Sequence, residues 1–168
     1  MAQLTDDCFA FSGPLLPVDD LEWIIAERVQ PLTEIETVPL AQAAGRVVAH
    51  DVAAPIDLPP FDNSAVDGYA VRHADLPSGS EARLRVAGRV TAGKSADVLP
   101  AAGEAIRIFT GAPMPKGADT VFMQEDVRTE NEYVIVPPGL KVGANRRLAG
   151  EDIRKGEIAL PAGRVLGV

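Results

Sequence analysis

The chain has 168 residues, 46% hydrophobic and 24% charged, which is enough to bury a core without disulfide staples. Its net charge of −8 and its lack of any basic stripe exclude a general nucleic-acid binder. No run approaches the ~20 apolar residues of a membrane span, the N-terminal residues MAQLTDDCFAFSG lack a signal peptide's basic start, and a single cysteine, Cys8, suits a reducing cytoplasm.

Residues 1–16 read as a tail ending at Gly13-Pro14. Pro17 suits a first helical turn, and Asp19 and Asp20 complement the dipole there. Val18, Leu21, Ile24, Ile25 and Val29 then recur at helical spacing. This predicts a helix, ended by Pro31, whose apolar stripe serves packing or dimerisation. A short strand is expected over 34–38, a short helix over 39–44 stopped by Gly45, and another strand over 47–52. Leu84, Val86 and Val90 alternate with Arg85, Ala87 and Arg89, the pattern of a half-buried strand. Ile106 and Ile108 alternate with Arg107 and Phe109. Further short strands are expected at 120–123, 127–129 and 133–136, the last two flanking a turn at Glu130-Asn131. Residues 157–160 and 164–166 read as a final pair split by Pro161-Ala162-Gly163. The expected fold class is mainly β with a helical N-terminal arm, an α+β chain. Proline clusters near 55–60 and 137–138 suggest an elongated first domain, residues 17–58 plus 138–168, carrying an inserted compact β-rich domain at 59–137.

Residues 59–70, PPFDNSAVDGYA, concentrate polar oxygen donors. Pro59 and Pro60 hold an extended approach, and Asp62-Asn63-Ser64 favours side-chain-to-backbone turns. Gly68 permits either a positive φ or a close approach. The segment is a tight turn before a strand or a loop presenting ligands. In the second case Asp67 is the acid to single out, able to hold Mg²⁺, bind a heterocycle N–H edge or position water.

Two more constellations follow. Thr110-Gly111-Ala112-Pro113 comes after an expected strand, so the Thr110 hydroxyl emerges where it can donate and accept. Asn145-Arg146-Arg147 and Gly150-Glu151-Asp152 offer either a guanidinium clamp for an oxyanion or an ion-pair cluster. Glu125 lies after a strand, either near a site or on a surface ladder. There is no zinc spacing of His and Cys, no Ser–His–Asp arrangement and no phosphate-binding P-loop.

Three ordered blocks carry a family resemblance: PPFDNSAVDGYAV, then IRIFTGAPMPKGADTVFMQE, then NRRLAGEDIRKG followed by LPAG. Together they resemble the molybdopterin molybdenumtransferases, the MoeA proteins whose animal relative is gephyrin, over about residues 15–168. The resemblance implies an enzyme of molybdenum cofactor biosynthesis that inserts molybdate into adenylylated molybdopterin and releases AMP, assisted by Mg²⁺. It implies catalytic roles for Asp67, Thr110 and Asp152, with Asp67 also the candidate metal ligand. Ser64, Asn63, Gly68, Gly111, Arg147 and Glu151 are the implied substrate-binding residues. Leu148-Ala149 stands where relatives often carry another basic residue, which thins the positive charge beside Arg147.

The family continues into a pterin-binding α/β domain and a small β domain, and its site lies where the front part of one subunit meets the pterin-binding domain of a homodimer partner. The expectation is therefore a fragment that supplies half a site and is inactive alone. The abrupt ending LPAGRVLGV suits a cut chain. The reading from a different class is a stand-alone dimerising scaffold or regulatory module that keeps the fold.

Overall fold

The computed structural model describes residues 17–30, 34–94, 97 and 100–167. The expected tail with Cys8, and Pro31 as helix stop, lie outside these residues. Two compact units are present, Met1–Ala43 and Ala44–Val168.

In the first unit, α1 spans Val18–Arg28. Asp19 and Asp20 occupy its first turn and Arg28 its last, so charges at both ends complement the helix dipole. The helix ends as Val29 becomes extended, its N–H still bonded to Ile25 O at 2.8 Å. No residue of α1 is buried. The strand expected over 34–38 does not form, because no ladder partner runs beside it among the described residues. The helix expected over 39–44 shrinks to a single 3₁₀ turn, Leu40–Gln42.

The second unit begins and ends as an antiparallel ribbon. Val47 bridges Val165, β1 (Val52–Ala53) pairs with β10 (Ile158–Leu160), Leu58 bridges Ile153, and β2 (Asn63–Ser64) pairs with β9 (Arg146–Arg147). Of the strand expected over 47–52, only the two ends are therefore realised, Val47 as an isolated bridge and Val52 as the start of β1. Nor do residues 157–160 and 164–166 pair with each other. Pro161 offers no N–H, while Ala162 N donates to Asp51 Oδ1 and Gly163 N to Val48 O, so the turn faces the entering segment instead.

Between the ribbon's arms lies a six-stranded sheet: β3 (Gly68–Val71), β4 (Ala82–Val90), β5 (Glu104–Ile108), β6 (Thr120–Met123), β7 (Arg128–Glu130) and β8 (Tyr133–Val136). Their order is β6-β3-β5-β4-β8-β7, with β4 and β5 parallel and every other pair antiparallel. Asn131, at φ 53°, turns β7 into β8.

Both sheet faces are packed. Ala70, Ile106, Ile108, Val121 and Val90 form one cluster, and Val71, Ala105, Phe122, Val134 and Leu84 form the other. Neighbouring residues fall into opposite clusters, as the pleat requires. Strand β4 departs from simple alternation. Its register with β5 shifts between Val86 and Gly88, inserting Ala87 as a bulge. Leu84 and Val86 therefore pack on one face, and Ala87 and Val90 on the other. The chain is thus mainly β with one α-helix, and no described helix is long and apolar enough to cross a membrane.

Candidate functional site

Residues 62–67 lead from the ribbon into β3 under tight local control. Asn63 and Ser64 are buried, pair with β9, and Asn63 also bridges Pro113. Ser64 N donates to Ala112 O, and Gly111 N donates to Ser64 O. This clasp lays the loop that starts at Thr110 against the loop that ends at Asp67. The Ser64 hydroxyl turns back to donate to Val66 O at 2.6 Å, an ST turn that leaves no donor for a ligand.

The clasp brings Asp67 and Thr110 together. Asp67 Oδ1 accepts from Thr110 N and from Thr110 Oγ1, both at 2.8 Å. Donation from the Thr110 backbone first, then from its hydroxyl, holds the Asp67 carboxyl below the usual carboxylate range; Arg107's charge acts in the same direction. Asp67 is therefore ionised at neutral pH, with Oδ1 saturated. Its own carbonyl accepts from Gln124 N at 3.0 Å.

Gly68 is required by close approach rather than by backbone sign. A Cβ there would lie 1.9 Å from Phe122 O on β6. Gly111 is the reverse case: φ is 76° and nothing lies within 4 Å of a would-be Cβ, so the turn needs its left-handed backbone. Thr110 follows two residues after the end of β5, as expected of a strand-end hydroxyl.

Arg147, Glu151 and Asp152 form a separate ion-pair cluster. Arg147 Nε donates to Glu151 Oε1 at 2.6 Å, and Nη2 to Asp152 Oδ1 at 2.5 Å. Glu151 also accepts from Leu148 N at 2.7 Å. The Arg147 guanidinium, followed by the Leu148 N–H, holds the Glu151 carboxyl below its usual range. One guanidinium faces two carboxylates, so the cluster carries net negative charge and does not present a free clamp for an oxyanion. Among the described residues no hydrogen bond or ion pair links this cluster to Asp67 or Thr110 directly; the β2–β9 pairing connects them through the backbone.

Arg107 and Gln124 were not singled out from sequence. Arg107 Nη1 donates to Gly68 O at 3.1 Å and Nη2 donates to Gln124 Oε1. Its guanidinium lies over the Phe109 ring at 4.6 Å and the Tyr69 ring at 5.1 Å. The only sequence signal was a lone arginine between Ile106 and Ile108, a position most often solvated. Glu125 sits in a 3₁₀ turn, Gln124–Asp126, where it accepts from Gln124 Nε2 at 2.9 Å. Among the described residues no three His, Cys, Asp or Glu side chains converge as a metal-ligand group. Among the described residues, Asp67 could offer Mg²⁺ no more than a single carboxylate arm.

Comparison with known proteins places this geometry. A family model described as the MoeA N-terminal region (domain I and II) matches residues 16–168. The chain is 41% identical over 150 residues to the molybdopterin molybdenumtransferase of Synechococcus elongatus, covering 87% of this chain and 37% of that one. It is 39% identical over 153 residues to the enzyme of the same name from Haemophilus influenzae, covering 90% and 37%. A crystal structure of a molybdopterin biosynthesis moeA protein from Pyrococcus horikoshii OT3 superposes with a TM-score of 0.78 at 37% identity, covering 91% of this chain and 41% of that one. The chain thus spans about 37% of the length of the curated relatives it matches. With the match running through the ribbon, the sheet and both loops of the Asp67–Thr110 clasp, this chain belongs to the MoeA N-terminal region family.

Proposed function

We propose that this chain is the front part of a molybdopterin molybdenumtransferase, acting in molybdenum cofactor biosynthesis to insert molybdate into adenylylated molybdopterin with release of AMP. The observation that carries this reading is the family match over residues 16–168, across which Asp67 and Thr110 meet.

In this reading Asp67 is the catalytic carboxylate. Thr110 holds one of its oxygens, leaving Oδ2 to orient a water at the phosphoanhydride, a pterin N–H edge or Mg²⁺. Molybdate is a dianion, so the ionised Asp67 does not bind it directly. Thr110 acts by orienting Asp67, since both of its donors are already engaged. Asn63, Ser64, Gly68 and Gly111 shape the loops that face the substrate. Asp152 and Glu151, bound to Arg147, suit a water or a metal-bridged phosphate better than a bare oxyanion. When bound, Mg²⁺ would neutralise phosphate charge, with Asp67 supplying one ligand. The other wall of the site would come from a pterin-binding domain, in the same chain or in the partner of a homodimer.

The test is Asp67→Asn in an enzyme in which this chain continues into a pterin-binding domain. AMP release driven by molybdate should fall at least a hundredfold; wild-type release would sink the reading. The 168-residue chain alone should show no measurable turnover. A dimerising scaffold is the second reading, favoured by the exposed apolar residues of α1, with Val18 at 80% and Trp23 at 65% exposure. It predicts self-association with no AMP release even when a pterin-binding domain is supplied.

A further inference from the structure

We propose that Arg89 and Arg107, stacked against Phe109 beside Asp67, form an oxyanion-binding subsite that takes a phosphate or molybdate group. The identity of the anion rests on the transferase reading; the existence of the subsite does not.

The argument starts from the β4 bulge. By simple alternation Arg89 would face away from the side where Leu84 and Val86 pack. The extra residue at Ala87 reverses that and turns Arg89 onto the face that carries Tyr69 and Phe122. Arg107 lies on the same face, since it is two residues from Ala105. Arg89 is the register partner of Arg107, and Arg107 of Tyr69. The two arginines thus sit side by side on adjacent strands, about 4.8 Å apart along the ladder. Both guanidiniums lie 4.6 Å from the centroid of the Phe109 ring.

Like charges opposite each other on adjacent strands repel, and a bound anion would relieve that repulsion. Neither Arg89 nor Arg107 makes an ion pair among the described residues, whereas Arg83, Arg85, Arg128, Arg146 and Arg147 each do. Arg107 is held by two neutral acceptors, Gly68 O and Gln124 Oε1, which leaves three of its five N–H donors. Those two bonds also hold it in place beside the Asp67 loop. Asp67 lies near Arg107 and Glu125 reaches it only through the Gln124 amide, so neither carboxylate ion-pairs with Arg89 or Arg107 among the described residues. A planar guanidinium pair with a fixed aromatic backing suits the flat edge of a phosphate or molybdate oxyanion.

The experiment titrates the ¹⁵N-labelled chain with inorganic phosphate, sodium molybdate and AMP at constant ionic strength, following arginine side-chain and backbone signals. Saturable shifts are expected at Arg89, Arg107 and Phe109. Saturation by AMP and phosphate points to a nucleotide phosphate, and stronger saturation by molybdate points to the metal source; either supports the subsite. Arg89→Met and Arg107→Met should each weaken binding about tenfold. Arg83→Met, an arginine stacked on Tyr133 but ion-paired with Glu130, should leave it unchanged. Arg89 holds no part of the Asp67 loop, so its variant reports on the anion even if Arg107→Met perturbs the fold. Non-saturating shifts with all three anions, or Arg89→Met binding as wild type, would overturn the proposal. Saturable binding that depends on Arg89 in an extended enzyme without AMP release would remove the transferase reading and leave the subsite standing.

Discussion

Asp67 and Thr110 are 43 positions apart, yet a single carboxylate oxygen of Asp67 accepts both the N–H and the hydroxyl of Thr110. The arrangement gives one residue an orienting role and the other a chemical one. It also makes the pair separable by mutation, since Thr110→Val removes the hydroxyl and keeps the N–H.

In Thr110→Val the Asp67 carboxyl should titrate higher than in the wild type, while the remaining backbone donor keeps it below the ordinary range. A ¹³C titration of the Asp67 side chain reads this directly. The linked effect on stability has a definite sign. A depressed carboxylate contributes stability above its unfolded pKa of about 3.9, and the contribution is lost as pH falls through the folded value. The gap in urea midpoint between wild type and variant should therefore be widest near neutral pH and close in acid. A gap that widens in acid would contradict the hydrogen-bond assignment.

Gly68→Ala and Gly111→Ala should differ in size for different reasons. At Gly68 the added methyl meets a backbone carbonyl oxygen that cannot move without opening the β3–β6 pairing. The expected cost is about 3 kcal/mol or more. At Gly111 the methyl meets open space and the cost is only that of a left-handed backbone, about 1–2 kcal/mol. Thermal melts of the two variants give the order, and equal losses would show that the sheet edge yields.

Arg147→Met should raise the Glu151 carboxyl toward its ordinary range, incompletely because Leu148 N still donates to it. The Arg147, Glu151 and Asp152 side chains are all about a third to a half exposed, so the effect on stability should shrink as salt is added. It should also fade as pH falls through the depressed Glu151 value. Urea midpoints at low and high ionic strength test both statements, and a loss indifferent to salt would point to packing by the Arg147 stem instead.

Local chemistry made much of this chain legible in sequence. Helix α1 followed from the proline, the two aspartates and the apolar spacing. Strands β6 and β8 matched their expected limits, because Thr120–Met123 and Tyr133–Val136 are β-rich runs bounded by turn residues. Strand expectations failed where the partner decides. Residues 34–38 had the composition but no ladder partner among the described residues, and residues 164–166 paired with the start of the second unit rather than with the strand just before them. Asp67 and Thr110 stood out by residue type and resemblance. Arg107 did not, because an arginine between two buried isoleucines looks the same whether it points to water or braces a loop.

By itself, the sequence determined the mainly β character, the turns and the segments that present oxygen donors, because these depend on backbone preferences over a few residues. Tertiary structure alone decided two things: that Asp67 meets Thr110, and that Arg89 shares a face with Arg107. Each depends on register between segments distant in the chain or on a one-residue bulge. A period of two marks alternating faces, but it says neither which strand lies alongside nor where the alternation slips.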